Sequence, residues 1–364
     1  MIWKAVFPGK YIQGEGVLRE LPDWIHWFGK TGLIVASRSA QKLLAPYAAI
    51  LQAGAVAVEP FPGECSEKEL TSVAQAMART KPDVIVGMGG GKAIDTAKIS
   101  ADRAGLPVIV VPTIASTDAP CSGCAVVYSE AGAFAGVLYQ KMNPQVVLVD
   151  TAVIANAPVR FLVAGMGDAL ATWFEARSCN RTCSPNACGG LSTLTGMNLA
   201  KLCYDTLLAY GPAAKTACEE HLVTPALNHI IEANILLSGL GFESGGLGAA
   251  HSVHNGLTAL PETHRFYHGE KVAFGVVTGL ALADAAPEET DRVYAFAEEI
   301  GLPTTLADVG LKNADRSALL IAAQKACAPE ECIHHEAGEI TPEKVLNAML
   351  AANALGEKRK RNRA

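Results

Sequence analysis

Four of the nine histidines fall between residues 241 and 275. Gly245, Gly246, Gly248, Ala249 and Ala250 lead into His251, and His254 follows one helical turn later, so both imidazoles share a helix face. After a loop carrying Pro261, His268, Gly269 and Glu270 open a second apolar segment over 272–282. Imidazole nitrogen is a good ligand for first-row metals, and a three-ligand site leaves one position for substrate. Either His251 or His254 could join His268, with a third ligand from elsewhere. The competing reading is a set of hydrogen-bonded histidines in a packed helical core, because the spacing matches no named zinc signature.

Asp168 is the candidate for that third ligand. It stands in Gly165-Met-Gly-Asp-Ala-Leu-Ala-Thr-Trp-Phe-Glu175, a helical stretch apolar on nearly every side, where a carboxylate is costly unless paired or metal-bound. A helix N-cap is its alternative role. A different chemistry is written in Gly87-Met-Gly-Gly-Gly-Lys92, which ends one apolar run and starts a helix at once. Glycines there expose backbone N–H groups with no Cβ in the way, which makes an anion site, and Lys92 adds charge. The stretch is neither GxGxxG nor a Walker loop, and a tight turn without ligand is the alternative. In Pro112-Thr-Ile-Ala-Ser-Thr-Asp-Ala-Pro120, the hydroxyls of Thr113, Ser116 and Thr117 and the carboxylate of Asp118 follow the next strand. They line a ligand crevice there or else satisfy local backbone groups.

Such residues need elements to hold them. Continuous, largely β-branched runs at 32–36, 55–58, 84–88, 108–111 and 146–149 read as strands buried on both faces. Helical stretches near 38–52, 66–80 and 92–104 alternate with them. This predicts an α/β N-terminal domain on a parallel, doubly wound, Rossmann-like sheet. A β-ribbon is expected within 121–141, where 126–128 and 134–139 flank the turn-prone Ser129-Glu-Ala-Gly132. From about Ala157-Pro158 the texture becomes helical, over 159–176, 186–210, 221–239, 245–257, 270–286, 289–300, 315–327 and 342–355. The expected division is therefore a dinucleotide-binding domain over 1–156 and an all-α, metal-binding domain over 157–364.

A chain of 364 residues is long enough for two cores, and its low charged fraction of 18% suits a compact enzyme or an oligomer with apolar interfaces. A net charge of −6 offers no general attraction for nucleic acid or anionic membrane. The basic end, Glu357-Lys-Arg-Lys-Arg-Asn-Arg-Ala364, reads as a solvated, frayed terminus. The opening Met1-Ile-Trp-Lys-Ala-Val-Phe-Pro lacks a sustained apolar core, and no run of about 18 apolar residues occurs, so neither a secretory leader nor a membrane span is expected. The ten scattered cysteines read as reduced thiols of a cytoplasmic protein. Cys121-Ser-Gly-Cys124 has redox-motif spacing and Cys179, Cys183 and Cys188 could form a second metal site, but neither group has a matching histidine or second pair nearby.

Five motifs in order resemble a known family: GGGKAIDTAK (89–98), PTIASTDAPCS (112–122), GMGDALATWFEA (165–176), FESGGLGAAHSVHNGLTALP (242–261) and HGEKVAFG (268–275). They are similar to the metal-dependent, so-called iron-containing, alcohol dehydrogenases, in particular the glycerol-oxidising members, whose fold is dehydroquinate synthase-like. The resemblance runs from Pro8 to about residue 350. It implies a zinc ion held by Asp168, His251 and His268, with Fe2+ or Mn2+ as alternatives, and His254 lining the pocket. It implies NAD phosphates at Gly90, Gly91 and Lys92, with Asp95, Thr113, Ser116, Ser122, Cys124 and Tyr128 around the rest of the cofactor. Asp118 would lie beside nicotinamide and substrate. The implied reaction is NAD-linked oxidation of glycerol to dihydroxyacetone, and of other vicinal diols. The metal lowers the hydroxyl pKa and the nicotinamide takes hydride. His254 is expected to relay a proton to solvent. The only partners implied are the small polyol and further copies of the chain in a homo-octamer.

The chain also departs from the pattern. Ala36-Ser-Arg-Ser39 stands where relatives often carry an aspartate for the ribose 2′-hydroxyl, so some use of NADP is expected. Ala125 replaces a frequent serine, and Phe134-Ala-Gly-Val-Leu138 replaces an acidic-aromatic stretch, which alters preferences near the ribbon. On the same scaffold, a 2-hydroxycarboxylate or glycerol-1-phosphate dehydrogenase is the rival. The latter calls for more basic residues than the Arg265 and Lys271 found in 241–275. A dehydroquinate-synthase-like lyase would produce no net NADH. A non-catalytic binding protein would require a broken ligand set, and all three ligand candidates are present.

Overall fold

The structure is a computed structural model and describes residues 1–130 and 134–363. Eight strands are present among them: β1 (Tyr11–Gly14), β2 (Gly32–Ser37), β3 (Val56–Phe61), β4 (Val84–Gly89), β5 (Val108–Pro112), β6 (Cys124–Tyr128), β7 (Phe134–Tyr139) and β8 (Val146–Asp150). Six form one parallel sheet in the order β1-β8-β5-β4-β2-β3, and β6 and β7 pair as an antiparallel ribbon. The expected parallel sheet is therefore present. Its central strands are apolar throughout because helices cover both faces, and Ile34, Val86, Ile109 and Leu148 are completely buried in one cluster. Register fixes the chemistry at the strand ends. Gly89 pairs with Pro112, and the N–H of Thr113 donates to the Gly89 carbonyl at 3.0 Å, so the glycine turn and the 112–118 loop run side by side.

Two compact units divide the chain. The sheet unit comprises Phe7–Val159 and Ala217–Gly239, and the helical unit comprises Met1–Val6, Arg160–Thr216 and Leu240–Ala364. This differs from a single cut at residue 156. The six N-terminal residues belong with the helices, where Asn186 Nδ2 donates to the Lys4 carbonyl at 2.8 Å, and 217–239 belongs with the sheet. Helical periodicity says that a segment has an apolar face but not which core receives it.

Three other expectations change. The edge strand β1 was not anticipated, because its four residues are half-buried and mixed in polarity. The helix expected over 186–210 runs instead from Leu194–Glu219. Before it the chain turns, with Cys183 at φ 56° and Gly189 at φ 79°, and the Asn186 side chain satisfies backbone carbonyls of Lys4 and Ser244. The basic end is not frayed: helix Pro342–Arg363 carries it, and Arg359 and Lys360 pair with Glu298, Asp291 and Asp308. Acidic groups on neighbouring elements supply the counter-charges that the sequence pattern does not place. Of the expected ribbon turn, Ala131 and Gly132 lie outside the described residues. Among the described residues no helix is long and apolar enough to cross a membrane.

Candidate metal centre and cofactor turn

Close backbone contact builds the histidine site. A Cβ on Gly269 would fall 1.8 Å from the Ala164 carbonyl oxygen, so only glycine lets the start of helix His268–Leu282 rest against helix Val159–Thr182. Gly275 does the same against Ala250, where a Cβ would lie 2.2 Å from the carbonyl oxygen, and brings in helix Ala249–Leu257. Arg160 pins the first contact by donating from Nε to Glu270 Oε1 at 2.6 Å. Three helices thus meet where Asp168, His251 and His268 stand.

Asp168 Oδ1 lies 3.0 Å from His268 Nε2 and 3.3 Å from His251 Nε2, and one ligand atom from each residue falls within 4.8 Å of the others. Asp168 is buried, while the side chain of His268 keeps 37% exposure, so the group is reachable from one side. Behind His251, its Nδ1 is 2.6 Å from Glu175 Oε2 and its backbone N–H donates to Glu175 Oε1 at 2.9 Å. Burial disfavours charge on His251, yet the Glu175 carboxylate and Asp168 outweigh it and raise its pKa well above the usual range. For Asp168, burial pushes the pKa up, but His268 and His251 overcome it and hold the carboxylate ionised far below its ordinary range. Two imidazole nitrogens and one carboxylate oxygen, with Glu175 fixing one ring, form a donor set that fits zinc, iron or manganese.

His254 does not join this triangle. Its Nε2 sits 3.0 Å from His268 Nδ1, and its Nδ1 sits 2.9 Å from Asn255 Oδ1. Burial, followed by the charges of His268, Lys271 and His251, depresses its pKa well below the usual value. Spacing left His251 and His254 as alternatives, the resemblance implied His251, and it is His251 that stands in one group with Asp168 and His268. On the side away from His268, His254 meets the Asn255 side-chain oxygen.

In the sheet unit, Gly89 adopts φ +151°, and Gly90 precedes helix Gly91–Ala104, whose start no side chain caps. Lys92 pairs with Glu64 and lies 4.8 Å over the Tyr128 ring. The Tyr128 hydroxyl is pushed up to about 12 by burial and then by Asp95. Thr113, Ser122 and Asp118 are buried along the adjoining loop, with Ser116 and Cys124 half-buried beside them. Asp95 is buried and tied to the ribbon: it accepts the Val126 N–H at 3.0 Å and lies 3.4 Å from Lys98 Nζ. Lys98 in turn donates to the carbonyls of Ala119 at 2.9 Å, Ser122 at 3.1 Å and Cys124.

Sequence reasoning missed several partners. Glu175 was detectable, since it follows Asp168 by two helical turns on the same face. Ser238, which donates to Asp118 Oδ2 at 2.7 Å, and Asn234, which donates to the Ala115 carbonyl at 3.0 Å, were not. They flank or lie in a π-turn, Ala233–Leu237, far along the chain, and nothing local announces it.

With this geometry in view, comparison with known proteins is informative. The family described as iron-containing alcohol dehydrogenase matches residues 8–151. The match extends through the rest of the chain in a glycerol dehydrogenase of Thermotoga maritima, 49% identical over 362 residues and covering 99% of each chain. The chain belongs to the iron-containing alcohol dehydrogenase family. Within it, a glycerol dehydrogenase of Escherichia coli is 47% identical over 96% of each chain. The crystal structure of a probable glycerol dehydrogenase from Sinorhizobium meliloti 1021 superposes with a TM-score of 0.92 at 42% identity, covering 98% of this chain and 100% of that one.

Proposed function

We propose that this chain oxidises glycerol to dihydroxyacetone, and other vicinal diols to hydroxyketones, with zinc as the metal and NAD as hydride acceptor. The observation that carries this reading is the convergence of Asp168, His251 and His268 within 4.8 Å, in a chain whose full-length relatives include glycerol dehydrogenases. When bound, the metal lowers the pKa of a substrate hydroxyl and the nicotinamide takes hydride from the carbon bearing it.

The chain's own residues do the rest. Asp168 and the two Nε2 lone pairs hold the ion, and Glu175 keeps the proton of His251 on Nδ1 so that Nε2 stays free to bind. The N–H groups of Gly90 and Gly91 take the cofactor's phosphates, with Lys92 exchanging Glu64 for them. Thr113, Ser116, Ser122, Cys124 and Tyr128 surround the remainder of the cofactor. Asp118, whose carboxylate accepts from the Ser238 hydroxyl, would stand beside the nicotinamide and substrate. The hydroxyl proton leaves to solvent as the hydride leaves carbon, which balances the two-electron oxidation.

Ser37 caps its helix by accepting the Ala40 N–H at 3.3 Å, and Arg38 is exposed beside it in a stretch, 36–39, that carries no acidic residue to repel a 2′-phosphate. NADP is therefore accepted alongside NAD. An octamer is part of the same reading, supported by the exposed Trp3 and Leu194 of the helical unit and checked by light scattering. The free cysteines suit action in a reducing, cytoplasmic compartment.

The test is metal analysis followed by a panel of diols and 2-hydroxy acids, with both cofactors and NADH absorbance as readout. Oxidation of glycerol and 1,2-propanediol, lost on chelation and regained with Zn2+, is the expected result. Preference for hydroxy acids, or activity indifferent to chelation, would reject it. Arg38→Asp should shift the kcat/KM ratio toward NAD.

A further inference from the structure

Behind His268 stands an imidazole, where His251 has a carboxylate. His268 Nδ1 meets His254 Nε2 at 3.0 Å, His254 Nδ1 meets Asn255 Oδ1 at 2.9 Å, and Asn255 Nδ2 donates to Glu331 Oε1 and Oε2 at 3.1 and 3.0 Å. Each link fixes the next. A glutamate carboxylate only accepts, so it turns the amide's NH2 toward itself and the amide oxygen toward His254. An amide turned the other way would set its carbonyl oxygen against the carboxylate. Facing an oxygen, His254 must carry its proton on Nδ1, which leaves its Nε2 as an acceptor. His268 must then donate from Nδ1, and in the ring with a single proton its Nε2, the atom facing Asp168 at 3.0 Å, keeps the lone pair.

We infer that Asn255 and Glu331 are positioning residues that set the tautomer of His268 through His254 and so keep its Nε2 ready to bind a metal ion. This rests on the metal centre proposed above. It gives His254 a role that needs no proton transfer, and it explains why a histidine one turn from a ligand is itself turned away from Asp168. Without the Glu331 carboxylate the amide can rotate. The chain of protons then reverses, and His268 Nε2 carries a hydrogen where the metal would bind.

The test is titration of the metal-free, full-length protein with Co2+, following the d–d absorption and measuring affinity by chelator competition. Glu331→Gln, close in shape to the original, is expected to weaken Co2+ binding by about tenfold, the effect typical of a lost outer partner of a ligand. Asn255→Asp alone should also weaken it, because two carboxylates would face each other. The combined exchange, Asn255→Asp with Glu331→Gln, restores an acceptor toward His254 and a donor toward its neighbour. It should recover the wild-type spectrum and return affinity to within about threefold. A purely structural role would not produce that rescue. If the wild-type chain takes up no Co2+, the metal centre and this inference fall together. If it binds and Glu331→Gln binds equally well, or the exchange binds no better than the single variants, this inference alone is overturned.

Discussion

Asp168 and Glu298 are both carboxylates of the helical unit with little exposed side chain, 1% and 6%, and their partners differ in kind. Glu298 accepts from Arg359 Nε at 2.9 Å, and its other oxygen lies 2.5 Å from Arg363. Guanidinium groups are charged at every working pH, so this carboxylate is neutralised within the protein. Asp168 has two imidazoles, and each can be neutral with a lone pair aimed at the same point. The first arrangement is a clamp that is complete without anything added. The second is complete only when its rings are protonated or when a cation replaces those protons. A buried carboxylate alone marks neither; the titration chemistry of its neighbours separates a clamp from a ligand site.

The largest effect follows from removing the Asp168 charge. Asp168→Asn keeps shape and polarity, yet it should abolish stoichiometric metal in elemental analysis and reduce turnover to the background of the assay. Full metal content with retained turnover would erase the distinction drawn above. Next comes Glu175→Gln. The carboxylate gives one oxygen to Nδ1 and the other to the backbone N–H of His251, and glutamine would set an NH2 against one of them, so metal affinity should fall by about 10- to 100-fold in chelator competition. The loss should exceed that of Glu331→Gln, because Glu175 touches its ring directly.

How much of this was legible follows the same physics. Five of the six sheet strands were readable from continuous β-branched runs, although β3 proves to be a half-exposed edge strand, and the ligand candidates from an aspartate in an apolar helix and histidines at helical spacing. Spacing could not choose His251 over His254, because one helical turn places both on one face; the family resemblance made that choice, and the partners Glu175 and Asn255 give it a physical basis. The 217–239 segment looks like any other amphipathic helix, so its place with the sheet, and the contact of Ser238 with Asp118, depend on tertiary packing. The basic tail reads as solvated because its counter-charges, Asp291, Glu298 and Asp308, lie more than fifty residues upstream.

That clamp predicts an effect on stability without one on chemistry. Arg359→Ala removes the pairs to Glu298 and Asp291 and the stacking over Tyr294, 5.4 Å to the ring centroid. It leaves Glu298 paired with Arg363. Urea denaturation should show a loss of about 1–3 kcal/mol, while metal content and glycerol KM stay at wild-type values. A fall in metal content would show that clamp and ligand site are not separable.

The smallest effect lies at the edge of the clamp and turns on pH. Asp308 accepts the N–H groups of Thr304 at 3.1 Å and Thr305 at 3.0 Å, and both its oxygens lie 2.5 Å from Lys360 Nζ. Burial works against its charge, but Lys360 and those donors prevail and hold its pKa below the ordinary carboxylate value. Because the folded pKa is the lower one, the contribution to stability is complete above the unfolded value of about 3.9 and is lost as pH falls through the folded value. Asp308→Asn should therefore cost about 1 kcal/mol at neutral pH, the scale of a half-exposed ion pair. Its urea midpoint should approach that of the wild type as the pH drops below about 4. A gap that stays constant across that range would mean that Lys360 contributes by packing and not by charge, and the contrast with Asp168 would then rest on Glu298 alone.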